Sequence, residues 1–210
     1  MKMIEAYHEI LTPITGKELK ELEAIARVCY KSEDKITDDG KSAERLIRHL
    51  ISNGHEAMLE HKSLSVKFVC DRAISHELVR HRMASFAQES QRYCNYSKDK
   101  FNAEVTFIKP WWLCDDDLGF APFATACQTA EDVYFELLAA GWQPEQARGV
   151  LPNATKTEIV MTANYREWRH ILKLRTDLAA HADMRHMMNF LLAELQMKIP
   201  VIFDDIPLRR

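Results

Sequence analysis

The amino-acid sequence predicts an α+β protein: one domain over residues 1–210, in which a sheet is flanked by helices. Two observations carry that expectation. Hydrophobic periodicity changes along the chain, from helical spacing at residues 15–31, 42–53 and 122–141 to strict alternation at residues 63–70. Length and composition set the scale, since 210 residues with 47% hydrophobic and 28% charged side chains can bury a substantial core. Six glycines and seven prolines leave little room for low complexity, and there is no internal repeat.

Taken in order, residues 2–11 read as a first strand. Thr15 opens a helix, because Thr15 and Glu18 have capping-box spacing and Leu19, Leu22, Ile25, Ala26 and Cys29 follow at helical intervals to about Lys31. The polar link SEDKITDDGK leads to a second helix from Ser42 to Asn53, with Leu46, Ile47, Leu50 and Ile51 inward and Asn53-Gly54 as its stop. In the next segment, GHEAMLEH, two histidines six apart suit hydrogen bonding in a turn or site better than metal ligation. Residues 63–70, SLSVKFVC, turn Leu64, Val66, Phe68 and Cys70 inward as a half-buried strand. Asp71 then caps a helix running to about Arg82. Within it, His76 and His81 resemble the zinc motif H-E-x-x-H but are five apart, which separates them by about 140° on a helix and rules out chelation; His181 and His186 fail the same test.

Residues 104–109 read as a strand stopped by Pro110, and Pro122 begins a long helix ending at Gly141, with Ala126, Ala130, Val133, Leu137 and Leu138 apolar. Pro144 starts another helix carrying Arg148, and residues 158–162 form a strand. A helix follows Asn164 through Trp168, Ile171 and Leu172 to Arg175, and a final helix from about Asp183 to Lys198 turns an apolar side to the core. Trp111, Trp112 and Trp142 read as packing residues.

Composition excludes several classes. A net charge of −3 argues against a dedicated nucleic-acid binder. No run approaches the roughly 20 apolar residues needed to span a bilayer, and Glu5, His8 and Glu9 interrupt the opening where a signal peptide would be apolar. A cytoplasmic protein is expected, without membrane or nucleic-acid partners. The five cysteines are odd in number, widely spread and never in a C-x-x-C pair, so they are expected reduced, and no metal site is expected.

Against that acidic background, Arg80 to Tyr93, RHRMASFAQESQRY, gathers three arginines, a histidine, two serines and a tyrosine. Arginine's planar fork binds phosphate oxygens in pairs and serine hydroxyls add orienting contacts, so the stretch reads as a basic, hydroxyl-rich loop for an anion. Helical geometry constrains it. His81 falls about 20° from Ile74, on the apolar side, whereas Arg80 and Arg82 diverge by about 160°. Either the helix ends near Arg80, or the two arginines serve different ligands or different subunits.

R-H-R-x-x-S-x-x-x-x-S-x-R-Y is the signature of the flavin-dependent thymidylate synthases, and Arg80, His81, Arg82, Ser85, Ser90, Arg92 and Tyr93 match all seven fixed positions. With average residue usage that coincidence has a chance on the order of 10⁻⁹ per window. The chain resembles the same family in G-H-x-x-x-x-E-H from Gly54, A-R-x-x-L-P from Ala147, N-x-R from Asn164 and L-R at Leu174-Arg175, so the likeness covers about residues 50–190.

The resemblance implies a mixed or antiparallel sheet and a homotetramer with flavin at subunit interfaces, which favours the second reading of Arg80 and Arg82. It implies a reaction that makes dTMP from dUMP, with FAD as cofactor, NADPH as reductant and 5,10-methylenetetrahydrofolate as one-carbon donor. It also implies dUMP contacts from Glu77, Arg80, Gln88, Glu89, Ser90, Gln91, Arg92, Arg148 and Arg175, and flavin contacts from His55, Arg80, His81, Arg82, Asn164, Arg166 and His170. Arg175 would be catalytic, stabilising negative charge that develops on the uracil, and Ser90 a binding hydroxyl. Ala87-Gln88-Glu89 stands where many members have Asn-Glu, so Gln88 and Glu89 both remain candidates for the uracil contact. Where some members place a histidine near the flavin, the count falls on Ala179, and His181 is two residues on.

The other thymidylate synthase family uses a cysteine in a Pro-Cys-His setting. The cysteines here follow Val28, Val69, Tyr93, Leu113 and Ala126, so none has it. No G-x-G-x-x-G is present, and the flavin expectation rests on the resemblance. The alternatives are a flavin or nucleotide oxidoreductase of other specificity, separable by dUMP-dependent NADPH oxidation, and a non-enzymatic nucleotide or RNA-binding regulator, whose affinity would fall steeply with salt.

Overall fold

The structure, a computed structural model, describes residues 1–209, with Lys100 by its backbone alone. The first strand is divided: β1 (Lys2–Ile4) and β2 (Tyr7–Ile10) enter different sheets. Helix α1 (Glu18–Val28) begins two residues later than the capping-box spacing suggests. Thr15 lies outside it, and the Glu18 carboxylate reaches back to accept from the Thr15 N–H at 2.7 Å and its hydroxyl at 3.1 Å. Cys29 is exposed, beyond the helix end. Helix α2 (Lys41–Ser52) follows, then a 3₁₀ turn, Glu56–His61.

Strand β3 (Ser63–Asp71) buries Leu64, Val66, Phe68 and Cys70 as the alternation predicts, but Val69 is buried too, so the alternation ends at Phe68. Asp71 caps α3 (Arg72–Leu78), its side chain accepting the Ile74 N–H at 2.7 Å. The helix stops at Leu78, four residues before the expected end, and the Arg80 N–H closes a tighter bond to the Glu77 carbonyl at 3.2 Å. The helical angle between Arg80 and Arg82 therefore does not apply, and it lends no geometric support to separate subunits. The expected loop is also more ordered: β4 (Ser85–Gln88) lies inside the arginine-rich stretch.

Strand β5 (Thr106–Ile108) pairs in parallel with β1, and a four-stranded sheet has the order β2–β3–β6–β4, where β6 is Lys156–Asn164. Strands β3 and β6 run antiparallel: the Tyr165 N–H donates to the Lys62 carbonyl at one end and the Arg72 N–H to the Asn153 carbonyl at the other, each at 2.8 Å. The helices between and after them are α4 (Phe120–Ala139), α5 (Pro144–Ala147), α6 (Tyr165–Arg175) and α7 (Ala182–Lys198). None of the described helices is long and apolar enough to cross a membrane.

The chain divides into two compact units, with both long strands running through the division. The first contains residues 1–8, 67–80 and 86–161. Its core joins Tyr96, Val105, Phe107, Cys127, Tyr134 and Ala147. The buried stripe of α4 is Cys127, Glu131 and Tyr134, and Ala126 from the expected apolar set is exposed. A carboxylate was hidden in that stripe because Glu131 accepts the buried Val105 N–H at 2.7 Å.

The second unit contains residues 9–66, 81–85 and the chain from Thr162 on. Trp168 is fully buried and donates its indole N–H to the Leu64 carbonyl at 2.9 Å. Helix α7 buries Met184, Met187, Met188, Leu191, Leu192 and Leu195, a stripe at helical spacing in which each side chain contributes about 1.5–3 kcal/mol. Glu23 is buried between α1 and α2, satisfied by Arg27 and by the Ser42 hydroxyl, both at 2.8 Å.

Candidate functional site

In the second unit, Asn164 caps α6 by accepting the Glu167 N–H at 2.8 Å. That starting point places Glu167, His170 and Arg175 on one helix, and His81 packs against all three. His81 is 5% exposed. Its Nε2 accepts from the Arg175 Nε at 2.9 Å, its Nδ1 lies 3.9 Å from the Glu167 carboxylate, and its ring meets that of His170 edge-on at 6.3 Å. Burial, then the neighbouring Arg175 charge, then His170, push the His81 pKa down to about 4, so the ring is neutral near pH 7. Since guanidinium only donates, Nε2 carries the lone pair and the ring proton sits on Nδ1, facing Glu167.

His81, Glu167 and His170 could bring ligand atoms within 4.8 Å of one another. The tautomer imposed by Arg175 leaves Nδ1 protonated and Nε2 engaged, so His81 offers no lone pair to a cation.

Beside this group lies a cleft of about 490 Å³ lined by Glu56, Glu60, Met83, Asn164, Arg166, Glu167, Arg169, His170 and Lys173. Arg166 is bound to Glu60 at 2.5 Å. Arg169 is buried and fixed by Glu56 (3.1 Å), Asp205 (2.6 and 2.8 Å) and the Ile202 carbonyl. Two of the three lining carboxylates are thus already paired with arginines. With its arginines held by carboxylates, the cleft offers a ligand the His170 imidazole and the Asn164 amide beside Lys173, groups that suit ring heteroatoms. His55 and Arg82 are exposed in the same unit.

The residues expected at the nucleotide lie in the first unit, Arg175 excepted. Gln88 spends its amide N–H groups on the Ser75 hydroxyl at 3.0 Å and the Thr157 hydroxyl at 3.2 Å. Glu89 is held by Lys156 at 3.0 Å and by the Tyr96 hydroxyl at 2.9 Å, and Lys156 also reaches Glu158 at 2.6 Å. Burial, reinforced by Glu89, raises the Tyr96 pKa, so this phenol stays protonated and donates. The Ser90 carbonyl closes a turn by accepting the Tyr93 and Cys94 N–H groups at 3.0 and 2.9 Å. Gln91 is buried; its Nε2 has no hydrogen-bond partner among the described residues, although the amide is near enough to the Tyr96 phenol to act on it electrostatically. Arg92 is exposed and stacks on Tyr93, its guanidinium carbon 5.0 Å from the ring centre. Arg148 is half-buried, its Nε donating to the Glu145 carbonyl at 3.3 Å, and Arg80 is exposed while Glu77 is half-buried.

Sequence reasoning missed Glu167, Arg169, Lys173, Tyr96 and Lys156. Glu167 was within reach: Asn164-x-x-Glu167 is a helix-start pattern, and His170 follows at i+3 on the same face. Nothing local in the sequence marks Lys156 or Tyr96, whose importance comes from meeting Glu89.

The chain is similar to known proteins along most of its length. The chain is similar to the flavin-dependent thymidylate synthases of Corynebacterium aurimucosum and Mycolicibacterium vanbaalenii, each 34% identical over 200 residues that span 88% of this chain and 78% of theirs. It is also similar to the crystal structure of the UMP/dUMP methylase PolB from Streptomyces cacaoi bound with 5-Br dUMP, with a TM-score of 0.79 and 26% identity over 97% of this chain and 96% of that one. The model of the thymidylate synthase complementing protein family matches residues 11–201, and the chain accordingly belongs to that family, which is that of the flavin-dependent thymidylate synthases.

Proposed function

We propose that this chain catalyses the reductive methylation of dUMP to dTMP, with FAD as cofactor, NADPH as its reductant and 5,10-methylenetetrahydrofolate as one-carbon donor, as a cytoplasmic homotetramer. One observation carries the reading. His81 of the R-H-R stretch and Arg175 of the L-R pair, 94 residues apart, meet at 2.9 Å. Two motifs picked out separately thus join in one hydrogen bond.

In this proposal Asn164, Arg166, His170, Arg80, Arg82 and His55 serve the flavin, and Ser90, Arg92, Arg148, Glu77, Gln91 and one of Gln88 and Glu89 serve the nucleotide. Both are already engaged, Glu89 by Lys156 and Tyr96 and Gln88 by Ser75 and Thr157, so both stay candidates for the uracil contact. Bound reduced flavin supplies hydride. Arg175 stabilises the negative charge that develops on the uracil, a role suited to a fixed cation in a site shielded from water. His81, neutral and buried, holds the Arg175 Nε without itself adding a counter-charge.

The test is to purify the protein, record its visible spectrum, and assay NADPH oxidation and dTMP formation with and without dUMP and methylenetetrahydrofolate. A yellow protein whose product requires both, and which scatters light as a tetramer, is expected. A colourless protein that takes up no FAD would overturn the reading, and NADPH oxidation without dTMP would favour an oxidoreductase of other specificity.

A further inference from the structure

We propose that His81 and Glu167 are positioning residues for Arg175: Glu167 holds the His81 ring proton on Nδ1, and the Nε2 thereby left as acceptor fixes the Arg175 guanidinium through its Nε–H. This deepens the reading of Arg175 as the residue that acts on the uracil, and rests on it. It also gives His81 a different task from the flavin contact that the family resemblance implies.

The Arg175 link is a hydrogen bond, whereas the Glu167 link is a longer-range attraction across 3.9 Å, beyond hydrogen-bond reach. Glu167 and Arg175 are eight residues apart on α6, about 80° around the axis and about 12 Å along it. Side chains on a helix lean toward its N-terminus, so Arg175 folds back toward Glu167, and the His81 ring fills the interval between them. Its two nitrogens face the two charged groups, at 2.9 Å from Arg175 and 3.9 Å from Glu167. The opposite tautomer would set two N–H donors against each other across 2.9 Å, and so would a protonated ring. Among the described residues, Arg175, Glu167 and His170 face His81. Of these only Glu167 offers the ring proton a negative partner, and it is delivered there because Asn164 caps its N–H. A carboxylate in place of His81 would hold the Nε–H as firmly but would cancel charge; a neutral imidazole orients the guanidinium without doing so.

The test uses the full chain with selectively ¹⁵N-labelled arginine. The Arg175 Nε–H resonance, assigned by its disappearance in Arg175→Ala, should be protected from exchange in the native protein and in His81→Gln, whose carbonyl can replace Nε2. It should lose protection in His81→Leu. Flavin content and the dispersion of the spectrum establish that each variant is folded and loaded. In the assay, His81→Leu should lower kcat roughly 10–100-fold, the scale of a displaced catalytic group. His81→Gln should recover most of that, and Glu167→Ala should fall between them. The double variant His81→Leu with Arg175→Ala should be no slower than Arg175→Ala alone, because residues acting through one another are not additive. An Arg175 resonance unchanged in His81→Leu, or His81→Leu costing the same factor with and without Arg175, would overturn the proposal. Loss of flavin in step with activity in both His81 variants would do so as well, making His81 a flavin ligand. Full turnover by Arg175→Ala would instead refute the uracil role of Arg175, while the resonance still decides whether His81 holds it.

Discussion

Two arginines on α6, six residues apart, are held in opposite ways. Arg169 is 1% exposed and is bracketed by the carboxylates of Glu56 and Asp205 and by the Ile202 carbonyl, so its charge is consumed in joining α6, the Glu56–His61 turn and the end of the chain. Arg175 has its Nε held by a neutral imidazole. The difference separates a cation gripped by carboxylates from one whose Nε is turned by a neutral acceptor. Ion pairing to a carboxylate fixes and neutralises at once, whereas a neutral acceptor only fixes.

The contrast makes its strongest prediction at Arg175. Arg175→Ala should leave the unfolding midpoint and flavin content close to native while turnover falls about 10²–10³-fold, roughly 3–4 kcal/mol of lost charge stabilisation. Steady-state kinetics beside a denaturation curve checks both halves. Turnover equal to the native protein would remove Arg175 from the mechanism.

Arg169→Met should do the reverse. It leaves Glu56 without its cation and Asp205 with Lys173 alone at 3.8 Å, and breaking a buried pair costs about 3–5 kcal/mol. Asp205 is 45% exposed and regains some water, so about 3 kcal/mol is expected, read as a lower urea midpoint. Burial alone would raise the Asp205 pKa, but the bonds from Arg169 more than reverse this and hold it below the usual carboxylate value. The pair's stabilisation is therefore present above the ordinary carboxylate range and lost as pH falls through it. Arg169→Met should flatten that acid limb. An unaltered midpoint would mean that Arg169 is not the structural member of the two.

His81 sharpens the comparison through pH. Its pKa is near 4 folded against 6.5 unfolded, so between those values the unfolded chain binds more protons and stability falls as pH is lowered through the window, with no change above it. At about 1.4 kcal/mol per unit the effect reaches about 3 kcal/mol. The difference in unfolding free energy between native protein and His81→Gln should therefore shrink or reverse in sign from pH 7 to pH 5. A constant difference would mean that His81 is not buried neutral.

These contrasts were only partly legible in the sequence. Alternation from Leu64 to Phe68 and the apolar stripe of α7 come through because burial on one face leaves a period that the chain itself displays. His81 of the signature and Arg175 of the L-R pair do meet, and Asn164 and Arg166 of N-x-R line one cleft. Arg169 and Lys156 were not legible, because a buried cation looks like a surface cation until its carboxylates, here 113 and 67 residues away, are seen to arrive. The end of α3 was misread for a related reason: the apolar position at His81 continued the helical period, while the backbone turned at Leu78.

The smallest effect concerns Asn164, where a structural and a binding role meet in one side chain. Its Oδ1 caps α6 at 2.8 Å, and the residue also lines the cleft assigned to the flavin. Capping alone predicts that Asn164→Ala loses about 1 kcal/mol and that Asn164→Ser, which keeps an acceptor for the Glu167 N–H, loses only a few tenths. The cap also fixes Glu167 in the first turn of α6, so loosening it should relax the hold on His81 and lower turnover a few-fold in the alanine variant. If Asn164 serves the flavin as well, the serine variant should recover stability but not cofactor affinity, since its short hydroxyl cannot stand in for an amide. Titrating FAD into both variants, alongside their urea midpoints, separates the roles. Serine restoring stability and flavin affinity together would leave Asn164 as a helix cap alone.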